Sequence, residues 1–405
     1  MASTTPATEA LGHHEDRIWP ADPGAYGGRR ARKGGRYRVF VPSKIGRHRF
    51  VFADDTVAAI SKASKVLTQL QADASRTASL NALATNILRS ESAASSRIEG
   101  IAVSHKRLAR ASFGGPGDRP ADPRAAEVLG NVQAMRRAIE LGGDSSPISV
   151  DHILDIHRTL LRFTDDSAIA GVIRDRQNWI GGSSYTPLGA AFVPPPPELV
   201  PKLLEDLCTF IARDDVAPAA QAAIAHAQFE NIHPFADGNG RTGRALIYAI
   251  LRRRGEIGTY IPPISLVLVR RPRDYIGCLG AYSGGDIDNW TTLLADAITS
   301  AVGIAEQLAD AIERRQLRWL ERLGNPRADA AIRQIVSALP AQPVIDVATG
   351  RKITGKSHVA VGAALSQLEA ADIIRPLNGR QRGRVWECDE LLELVTSFER
   401  ELSAG

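Results

Sequence analysis

The segment that most restricts how this chain can fold is HPFADGNGRTGR, at residues 233–244, which has an alanine-rich stretch on each side. Residues 219–232 (AAQAAIAHAQFENI) and 242–254 (TGRALIYAILRRR) have the composition of helices. Their many small side chains allow two helices to pack closely. Gly238 and Gly240 let the backbone turn tightly between them. We therefore expect a short loop that joins two buried helices and concentrates its polar groups in one place.

The side chains of this loop are those that phosphate chemistry needs. His233 can act as a general base, because an imidazole titrates close to physiological pH, and the Asp237 carboxylate can hold a hard cation such as Mg²⁺. The backbone amides of residues 238–240 can converge on phosphate oxygens. Arg241 and Arg244 are three residues apart, so on a helix they share one face and can bind further phosphate oxygens. The pattern indicates a site for a nucleotide polyphosphate; the alternative is a glycine-rich turn whose arginines face water.

The composition of the 405-residue chain is that of a globular protein, with 44% hydrophobic and 23% charged residues, which excludes the fibrous and disordered classes. Such a length predicts two or three domains. The net charge of +5 suits binding of phosphate or nucleic acid, although an arginine-rich composition explains it equally well. No apolar run approaches the length of a membrane span, and the N-terminus lacks the apolar core of a secretory signal.

The spacing of cysteine and histidine does not indicate a metal site. Cys208, Cys278 and Cys388 are far apart and form no CxxC pair, which fits a reducing cytoplasm rather than a disulfide framework. His152 and His157 are five residues apart and do not share a helical face, so we interpret them as core or surface histidines. We expect a cytoplasmic protein without membrane contact.

HPFADGNGRTGR resembles the signature of the Fic family, HxFx(D/E)GNGRxxR, and fills every specified position. The resemblance implies a mainly α protein, with a Fic-fold helical core and a small β-hairpin flap. It also implies protein adenylylation, in which ATP gives AMP to a Ser, Thr or Tyr hydroxyl of a protein substrate and diphosphate is released. His233 would be the catalytic base, and Asp237 would hold Mg²⁺. The nucleotide-binding residues implied by the signature are Asp237, Gly238, Asn239, Gly240, Arg241, Thr242, Gly243 and Arg244.

A second motif, SSRIEG at residues 95–100, closes a segment with helical periodicity that Gly100 is placed to end. Ser95 and Glu99 are four residues apart, hence on one helical face. By itself this pattern predicts only an exposed glutamate near a helix end. It is similar to the inhibitory motif (S/T)xxxE(G/N) of one branch of the family. The resemblance implies that Glu99 pairs with Arg244 and occupies the place that the ATP γ-phosphate needs.

The run NWIGG, at residues 178–182, resembles the Fic flap, a hairpin beside the active site. The resemblance implies that an extended segment of the target docks along this edge by β-augmentation. An ordinary two-stranded connection is the alternative. The residues that would border the nucleotide and the target are Ile180, Gly181, Gly182 and Ser183.

Tyr275 and Ile276 fall where the family lines its adenine pocket. Ser283 stands near a position where other members carry Asn, which departs from the family pattern. A core aromatic is an equal alternative for Tyr275.

The C-terminal part, from about residue 325, resembles a winged helix-turn-helix domain. Lys356, Ser357 and His358 would open its recognition helix, and a basic wing would meet DNA phosphates. A protein-contact or dimerisation module is the equally weighted alternative. The wing residues implied are Arg380, Arg382 and Arg384.

We expect four consecutive segments: a flexible basic tail at 1–35, an N-terminal extension with the inhibitory helix at 36–124, the catalytic core at 125–305, and a linker helix with the winged-helix domain at 306–405. Two β-type runs, at residues 37–41 and 50–52, open the extension.

The direction of the chemistry stays open at this level. Removal of AMP, transfer of another nucleotide-derived group, and a DNA-binding regulator that only senses nucleotide are the alternatives. Gly240 favours the adenylylating orientation, because a phosphorylating relative carries Lys there. Self-modification and a homodimer are also open.

Overall fold

The computed structural model describes residues 10–24, 26, 29–114, 120–258, 260–377 and 383–404. The strands in chain order are β1 Gly12–Trp19, β2 Gly35–Pro42, β3 Val344–Asp346, β4 Arg375–Pro376 and β5 Val385–Glu387. The helices are α1 Arg29–Lys33, α2 Asp54–Ala72, α3 Ala74–Ile98, α4 His105–Ala111, α5 Pro123–Gly143, α6 Val150–Leu160, α7 Val200–Ile211, α8 Pro218–Ile232, α9 Asn239–Arg253, α10 Ile264–Leu268, α11 Pro272–Ser283, α12 Ile287–Arg322, α13 Ala331–Ala338, α14 Val347–Thr354, α15 His358–Ala370 and α16 Asp389–Ala404. Among the described residues, no helix is both long enough and apolar enough to span a bilayer.

The described residues form two compact units, each assembled from separate stretches of chain. The first contains the described residues within 10–65, 133–256 and 271–296, and the second contains the other described residues. The four consecutive segments expected from the sequence stay a prediction.

Helix α8 is the centre of the first unit. It contacts α7, α9 and α11, and α6 packs on α7 and α9. From Ala219 to Ile232 every residue of α8 except Glu230 is buried. A helix that is buried on all sides must carry small or apolar side chains around its whole circumference. The alanine-rich sequence meets this requirement and confirms the predicted pair of buried helices.

The strands β1 and β2 form an antiparallel pair whose register runs from Gly12 opposite Pro42 to Trp19 opposite Gly35. The chain at 12–19 is therefore a paired strand, although a flexible tail was expected there; residues 1–9, 25, 27 and 28 of that tail lie outside the described part. The β-type run at 50–52 was wrong, because it forms no strand and Phe50 instead packs edge-on against Phe210 with ring centroids 5.6 Å apart.

In the second unit, α3 contacts α4 and α10. Ala94, Leu266 and Ile304 form an apolar cluster beside it. The helix ends as predicted at Gly100, whose φ of 80° is in the left-handed region. The amide of Ile101 then donates to the Ser96 carbonyl at 3.0 Å, which closes the last turn.

The C-terminal module, residues 331–404, has the element order helix, strand, helix, helix and β-hairpin, followed by α16. Its sheet has the order β3-β5-β4, with antiparallel pairing throughout. This order is compatible with the winged helix-turn-helix, which stays a prediction. Arg380 and Arg382, predicted on the wing, lie outside the described residues.

A cluster of charges connects α4 to this module. The Glu387 carboxylate is 1% exposed and accepts two hydrogen bonds of 2.7 Å from Arg110. Arg375 also donates to it, at 3.1 Å, and Lys106 pairs with Asp389. Burial raises the pKa of Glu387, but the hydrogen bond and charge of Arg110, with Arg375 and Lys106, outweigh burial and leave the pKa below its ordinary 4.5.

We predict that Glu387→Gln lowers the free energy of unfolding at neutral pH by about 2 kcal/mol, because hydrogen bonds to charged groups contribute ~1.5–3 kcal/mol. A carboxylate whose pKa is lowered by folding stabilises the fold above its unfolded pKa, and this contribution is lost as pH falls through the folded value. The difference between wild type and variant should therefore shrink below pH 4.5.

Denaturant titration at neutral pH and at about pH 3.5 measures this difference. Glu393→Gln is the matched control, because Glu393 is exposed on α16. An equal effect at both positions, or a difference that does not change with pH, would contradict the assignment.

Candidate active site

The turn between α8 and α9 begins at His233, which adopts the left-handed conformation with φ 49° and ψ 60°. This conformation is costly for a residue with a Cβ, on the order of 1–2 kcal/mol, so its surroundings must hold it. Nδ1 of His233 lies 3.3 Å from the Glu230 carbonyl oxygen and 3.8 Å from the Glu230 carboxylate. Because a carbonyl oxygen can only accept, Nδ1 carries the proton and Nε2 is the basic nitrogen of the ring.

Arg174 is the group that holds this turn. Its Nε donates to the His233 carbonyl at 2.8 Å, and its backbone amide donates to the Pro234 carbonyl at 3.0 Å. Its Nη2 donates to the Pro195 carbonyl at 2.6 Å, at the far end of the flap. Burial lowers the pKa of Arg174 to about 10, so the guanidinium is still charged at neutral pH. One buried cation therefore fixes the start of the turn and the flap together, a role that the sequence did not predict.

Asn239 closes the turn through its side chain. Its Oδ1 accepts from the Phe235 amide at 2.8 Å, and its Nδ2 donates to the Phe235 carbonyl at 2.8 Å. Asn178, at the start of the flap, donates to the same carbonyl at 2.9 Å. The side chain of Asn239 thus shapes the loop, which leaves its backbone amide as the group available for an anion.

His157 contacts the turn between α8 and α9 at Phe235 and Asp237. From the sequence it was interpreted only as a core or surface histidine. Its ring stacks on Phe235, with centroids 3.7 Å apart and an interplanar angle of 2°. The Gly171 amide donates to Nδ1 at 2.9 Å, so Nε2 carries the proton and donates to the Asp237 carbonyl at 2.9 Å. Burial lowers the pKa of His157 to about 4, which keeps this neutral tautomer at physiological pH. The partners are far away in the chain, so no spacing rule identifies this histidine.

Gly238 starts α9 and needs to be glycine. Its φ is 78°, and a Cβ there would lie 2.9 Å from Leu160 Cδ2. The first amides of α9 then follow directly after a left-handed turn. Such a turn aims N–H groups into one concavity, where the helix dipole favours an anion.

The charged side chains of the loop differ in exposure. The Asp237 side chain is 59% exposed and its Oδ2 lies 2.9 Å from Nη2 of Arg241, whose side chain is only 4% exposed. Arg244 is buried, and its Nη1 donates to the Tyr275 hydroxyl at 3.3 Å. The side chains of Arg241 and Arg244, both in the first turns of α9, are therefore oriented by contacts within the protein.

Tyr275 is placed beside Arg244 through a histidine of α8. The hydroxyl of Tyr275 lies 2.9 Å from Nε2 of His226. Burial lowers the pKa of His226 to about 3, so the ring is neutral at physiological pH. The hydroxyl oxygen of Tyr275 accepts the hydrogen bond from Arg244. This contact puts Tyr275 next to the loop, whereas Ile276 on the same helix is 65% exposed.

The flap is held together by isolated antiparallel bridges between its two arms. The amide of Ile180 donates to Phe192 at 2.8 Å, and the amide of Phe192 returns a bond at 3.2 Å. Gly181 and Gly182 follow with φ values of 75° and 76°. The Ser183 carbonyl accepts from Nε1 of Trp179 at 2.6 Å, which fixes the tip.

The strand β2 packs against the second arm of the flap, which contains Phe192 and Val193. The amide of Phe40 donates to the Val193 carbonyl at 2.8 Å. Val39, Val41 and Val193 form one apolar cluster, against which Trp179 packs. The hydrogen bond and the apolar cluster therefore fix the flap, including its exposed edge at Ile180, against the strand β2.

The remaining predicted residues lie as follows. Ser283 donates to the Asn231 side chain at 2.9 Å in the first unit. Ser95 is buried on α3 in the second unit, and Glu99 is an exposed residue just beyond the end of α3. Thr242 is buried in the first turns of α9, and Gly240 is half-buried.

Comparison with known proteins places these elements in a family context. Residues 147–251 match the sequence profile of the Fic/DOC family, and residues 57–140 match that of the Fic/DOC family N-terminal region. Relatives named protein adenylyltransferase match the chain over a limited stretch. A Caenorhabditis elegans protein of this name is 34% identical over 166 residues, which is 40% of this chain and 30% of the relative. A Nematostella vectensis protein is 33% identical over 165 residues, or 40% of this chain and 35% of the relative. The chain thus matches only about a third of the length of these relatives.

Two solved structures share the fold. A Fic family protein from Desulfovibrio desulfuricans is 20% identical with a TM-score of 0.51, and the alignment covers 84% of this chain and 97% of that one. A Fic domain containing signaling protein from Bacteroides thetaiotaomicron is also 20% identical with a TM-score of 0.51, covering 62% of this chain and 97% of that one. At this identity the similarity supports the fold and leaves activity to other arguments.

We predict that Gly243→Ala destabilises the protein by about 1–3 kcal/mol, the usual cost of overpacking a core. An added Cβ would lie 2.7 Å from the Glu230 carboxylate, 2.9 Å from Phe229 and 3.0 Å from His226, so α9 must move away from α8. Gly277→Ala on α11 is the matched control, because its Cβ would meet no atom within 4 Å. Thermal unfolding should show a gain of about 1 kcal/mol for the control, since Ala favours helix over Gly. Equal effects of the two substitutions would contradict the close packing of α8 and α9.

Proposed function

Because the chain belongs to the Fic/DOC family, we propose that it is a protein adenylyltransferase. It transfers AMP from ATP to the hydroxyl group of a Ser, Thr or Tyr side chain in a protein and releases diphosphate. The observation that carries this proposal is the turn between α8 and α9. There Arg174 holds His233, and the turn continues into the α9 N-terminus with its two oriented arginines. The relatives named protein adenylyltransferase support the same activity.

His233 removes the proton that blocks attack. Nε2 takes the proton of the target hydroxyl while the oxygen forms a bond to the α-phosphorus of ATP. The bond from that phosphorus to the oxygen that bridges to the β-phosphate breaks, and diphosphate leaves with the electron pair. The imidazolium that results is stabilised by the Glu230 carbonyl and by the Glu230 carboxylate, 3.8 Å from Nδ1. The ring then gives its proton to solvent.

The loop amides and the arginines bind the phosphates. The N-terminus of α9 offers backbone N–H groups and the positive end of the helix dipole. Arg241 and Arg244 add charge-assisted hydrogen bonds from side chains that are already buried, so little conformational freedom is lost when ATP binds. Groups fixed in this way stabilise the charge that develops on the phosphate oxygens during transfer.

Asp237 is the residue that would hold Mg²⁺. Among the described residues, no group of three His, Cys, Asp or Glu side chains is arranged for a metal. Mg²⁺ in nucleotide sites needs only one or two carboxylates besides the phosphates, so a single exposed carboxylate fits. When bound, the ion would neutralise charge on the α- and β-phosphates.

The exposed edge of the flap is the docking place for the target. Ile180 is 44% exposed, and the glycines after it offer backbone groups without side-chain obstruction. An extended peptide that adds to this edge is held by main-chain hydrogen bonds, which accept many sequences. A segment of the same protein can satisfy this requirement, so self-modification belongs to the proposal.

Glu99 is the inhibitory residue in this proposal. Its carboxylate can satisfy the guanidinium of Arg244 as well as a phosphate does, with charge-assisted and often bidentate hydrogen bonds. While that pair holds, the γ-phosphate lacks its partner and the α-phosphate is misaligned for attack. Positioning supplies most of the rate of such transfers, so the inhibition acts on rate more than on affinity.

We predict that Glu99→Gly, incubated with ATP labelled at the α-phosphate, labels protein about 10- to 100-fold faster than wild type. Release of hydrogen bonds between charged groups corresponds to ~1.5–3 kcal/mol, which sets this range. Adding His233→Ala to Glu99→Gly should then reduce labelling by about 10²–10⁴-fold, the usual contribution of a general base.

Two controls separate these effects from misfolding. Glu99→Gln keeps the side-chain length without the charge, so its labelling rate should lie between those of wild type and Glu99→Gly. His13→Ala in the Glu99→Gly protein removes a histidine whose side chain is 62% exposed and should leave labelling unchanged. Equal labelling of wild type and Glu99→Gly excludes the inhibition, and full labelling without His233 excludes the base.

A further inference from the structure

The turn between α14 and α15 presents a basic surface that AMP transfer does not use. Arg351, Lys352 and Lys356 are exposed, and so is His358 at the first residue of α15. The chain carries no carboxylate from residue 347 to residue 368. In the part of the chain that the structure describes, none of these four side chains takes part in an ion pair or a side-chain hydrogen bond. The charges of Arg351, Lys352 and Lys356 therefore face solvent.

Two other basic side chains in the described part of the C-terminal module, Arg375 and Arg384, are already paired with carboxylates. Arg375 is bound by Glu387 and by Asp389, the latter at 2.6 Å. Arg384 donates to Glu369 at 2.8 Å, and its guanidinium lies 5.4 Å from the centre of the Trp386 ring. Arg384 was predicted to meet phosphates from the wing, but this ion pair occupies it. Among the described residues of this module, the exposed positive charge that no carboxylate pairs lies at the turn between α14 and α15.

The exposed face of α15 carries small and uncharged side chains, which suit a helix that lies in a DNA groove. Its inner face is formed by Val361, Ala364, Leu365 and Leu368. The opposite face carries Val359, which is 79% exposed, then small alanines and Gln367. Small side chains let a helix backbone come close to base edges. A valine can contact a thymine methyl group, and a glutamine can form paired hydrogen bonds with adenine.

We propose that this turn and the exposed face of α15 bind duplex DNA, with α15 in the major groove. Helices α14 and α15 are joined by residues 355–357, and Gly355 has a φ of 65°, which gives the short turn of a helix-turn-helix. In that arrangement the N-terminal residues of the second helix reach the bases. The lysines and Arg351 flank this end and can contact phosphates on either side. An acidic protein would match the charge, but it would not require the smooth uncharged face beside it.

The test is fluorescence anisotropy of the full-length protein with a labelled random-sequence duplex of about 20 base pairs at several salt concentrations. Wild type should bind, and its affinity should fall as salt rises. In Lys352→Ala/Lys356→Ala the slope of log affinity against log salt should decrease by about 0.9 for each lysine removed. Val359→Glu should weaken binding at low salt by about tenfold or more, because it places a carboxylate against phosphates.

The controls change the same charges elsewhere in the second unit. Arg314→Ala/Arg318→Ala removes two exposed positive charges from α12, and Leu317→Glu adds a carboxylate at a position that is 60% exposed. Both should bind duplex nearly as wild type does. Thermal melting shows that each variant is folded. Absence of salt-dependent binding, equal loss in the controls, or displacement of the duplex by poly-glutamate as readily as by unlabelled DNA would overturn the proposal.

Discussion

The left-handed conformation of His233 is the constraint on which the rest of the site depends. It ends α8, turns the chain toward α9 and sets the direction of the imidazole. Arg174 makes this conformation possible by binding the His233 carbonyl from a buried position. A buried guanidinium surrounded by carbonyl oxygens is costly to form, but it fixes several backbone segments at once. The flap and the turn between α8 and α9 consequently share one anchor, which connects the proposed docking edge to the proposed base.

Two buried, neutral histidines also help to position the residues of the site. His157 and His226 both have pKa values far below the ordinary range because they are buried. Each therefore stays neutral at physiological pH, and the hydrogen bonds of His157 with Gly171 and Asp237 fix its tautomer. His157 holds the Asp237 carbonyl and His226 positions Tyr275 beside Arg244. The chemistry that we propose for His233 thus takes place among neighbours that do not change protonation at physiological pH.

The sequence predicted the elements whose signals are local. The alanine-rich helices around the loop, the end of α3 at Gly100 and the glycine at Gly238 all follow from composition or backbone requirements. The supporting residues could not be predicted this way. Arg174 and His157 act through carbonyl groups far away in the chain, and any residue type can supply a carbonyl. The strand at 12–19 was missed because GHHEDRIW has little β-type character, and it is defined only by its pairing with β2.

The prediction that Arg384 contacts phosphate from the wing was wrong for a similar reason. Three arginines near the end of the chain indicated phosphate contact, but an ion pair with Glu369 cannot be read from spacing alone. The exposed charge at the turn before α15 differs from that of Arg375 and Arg384 because no carboxylate of the described residues pairs with it. Local composition states how much charge a segment has, and the folded chain decides which part of it reaches solvent.

The proposed adenylyltransferase activity is tested most directly by identifying the group that the protein transfers from ATP. Glu99→Gly is incubated with ATP that carries separate labels on the α- and γ-phosphates, and the modified peptides are analysed by mass spectrometry. We expect an adduct with the mass of one AMP that retains the α label, while the γ label leaves in diphosphate. A γ label on the protein, or no adduct in a variant that binds ATP, would contradict it.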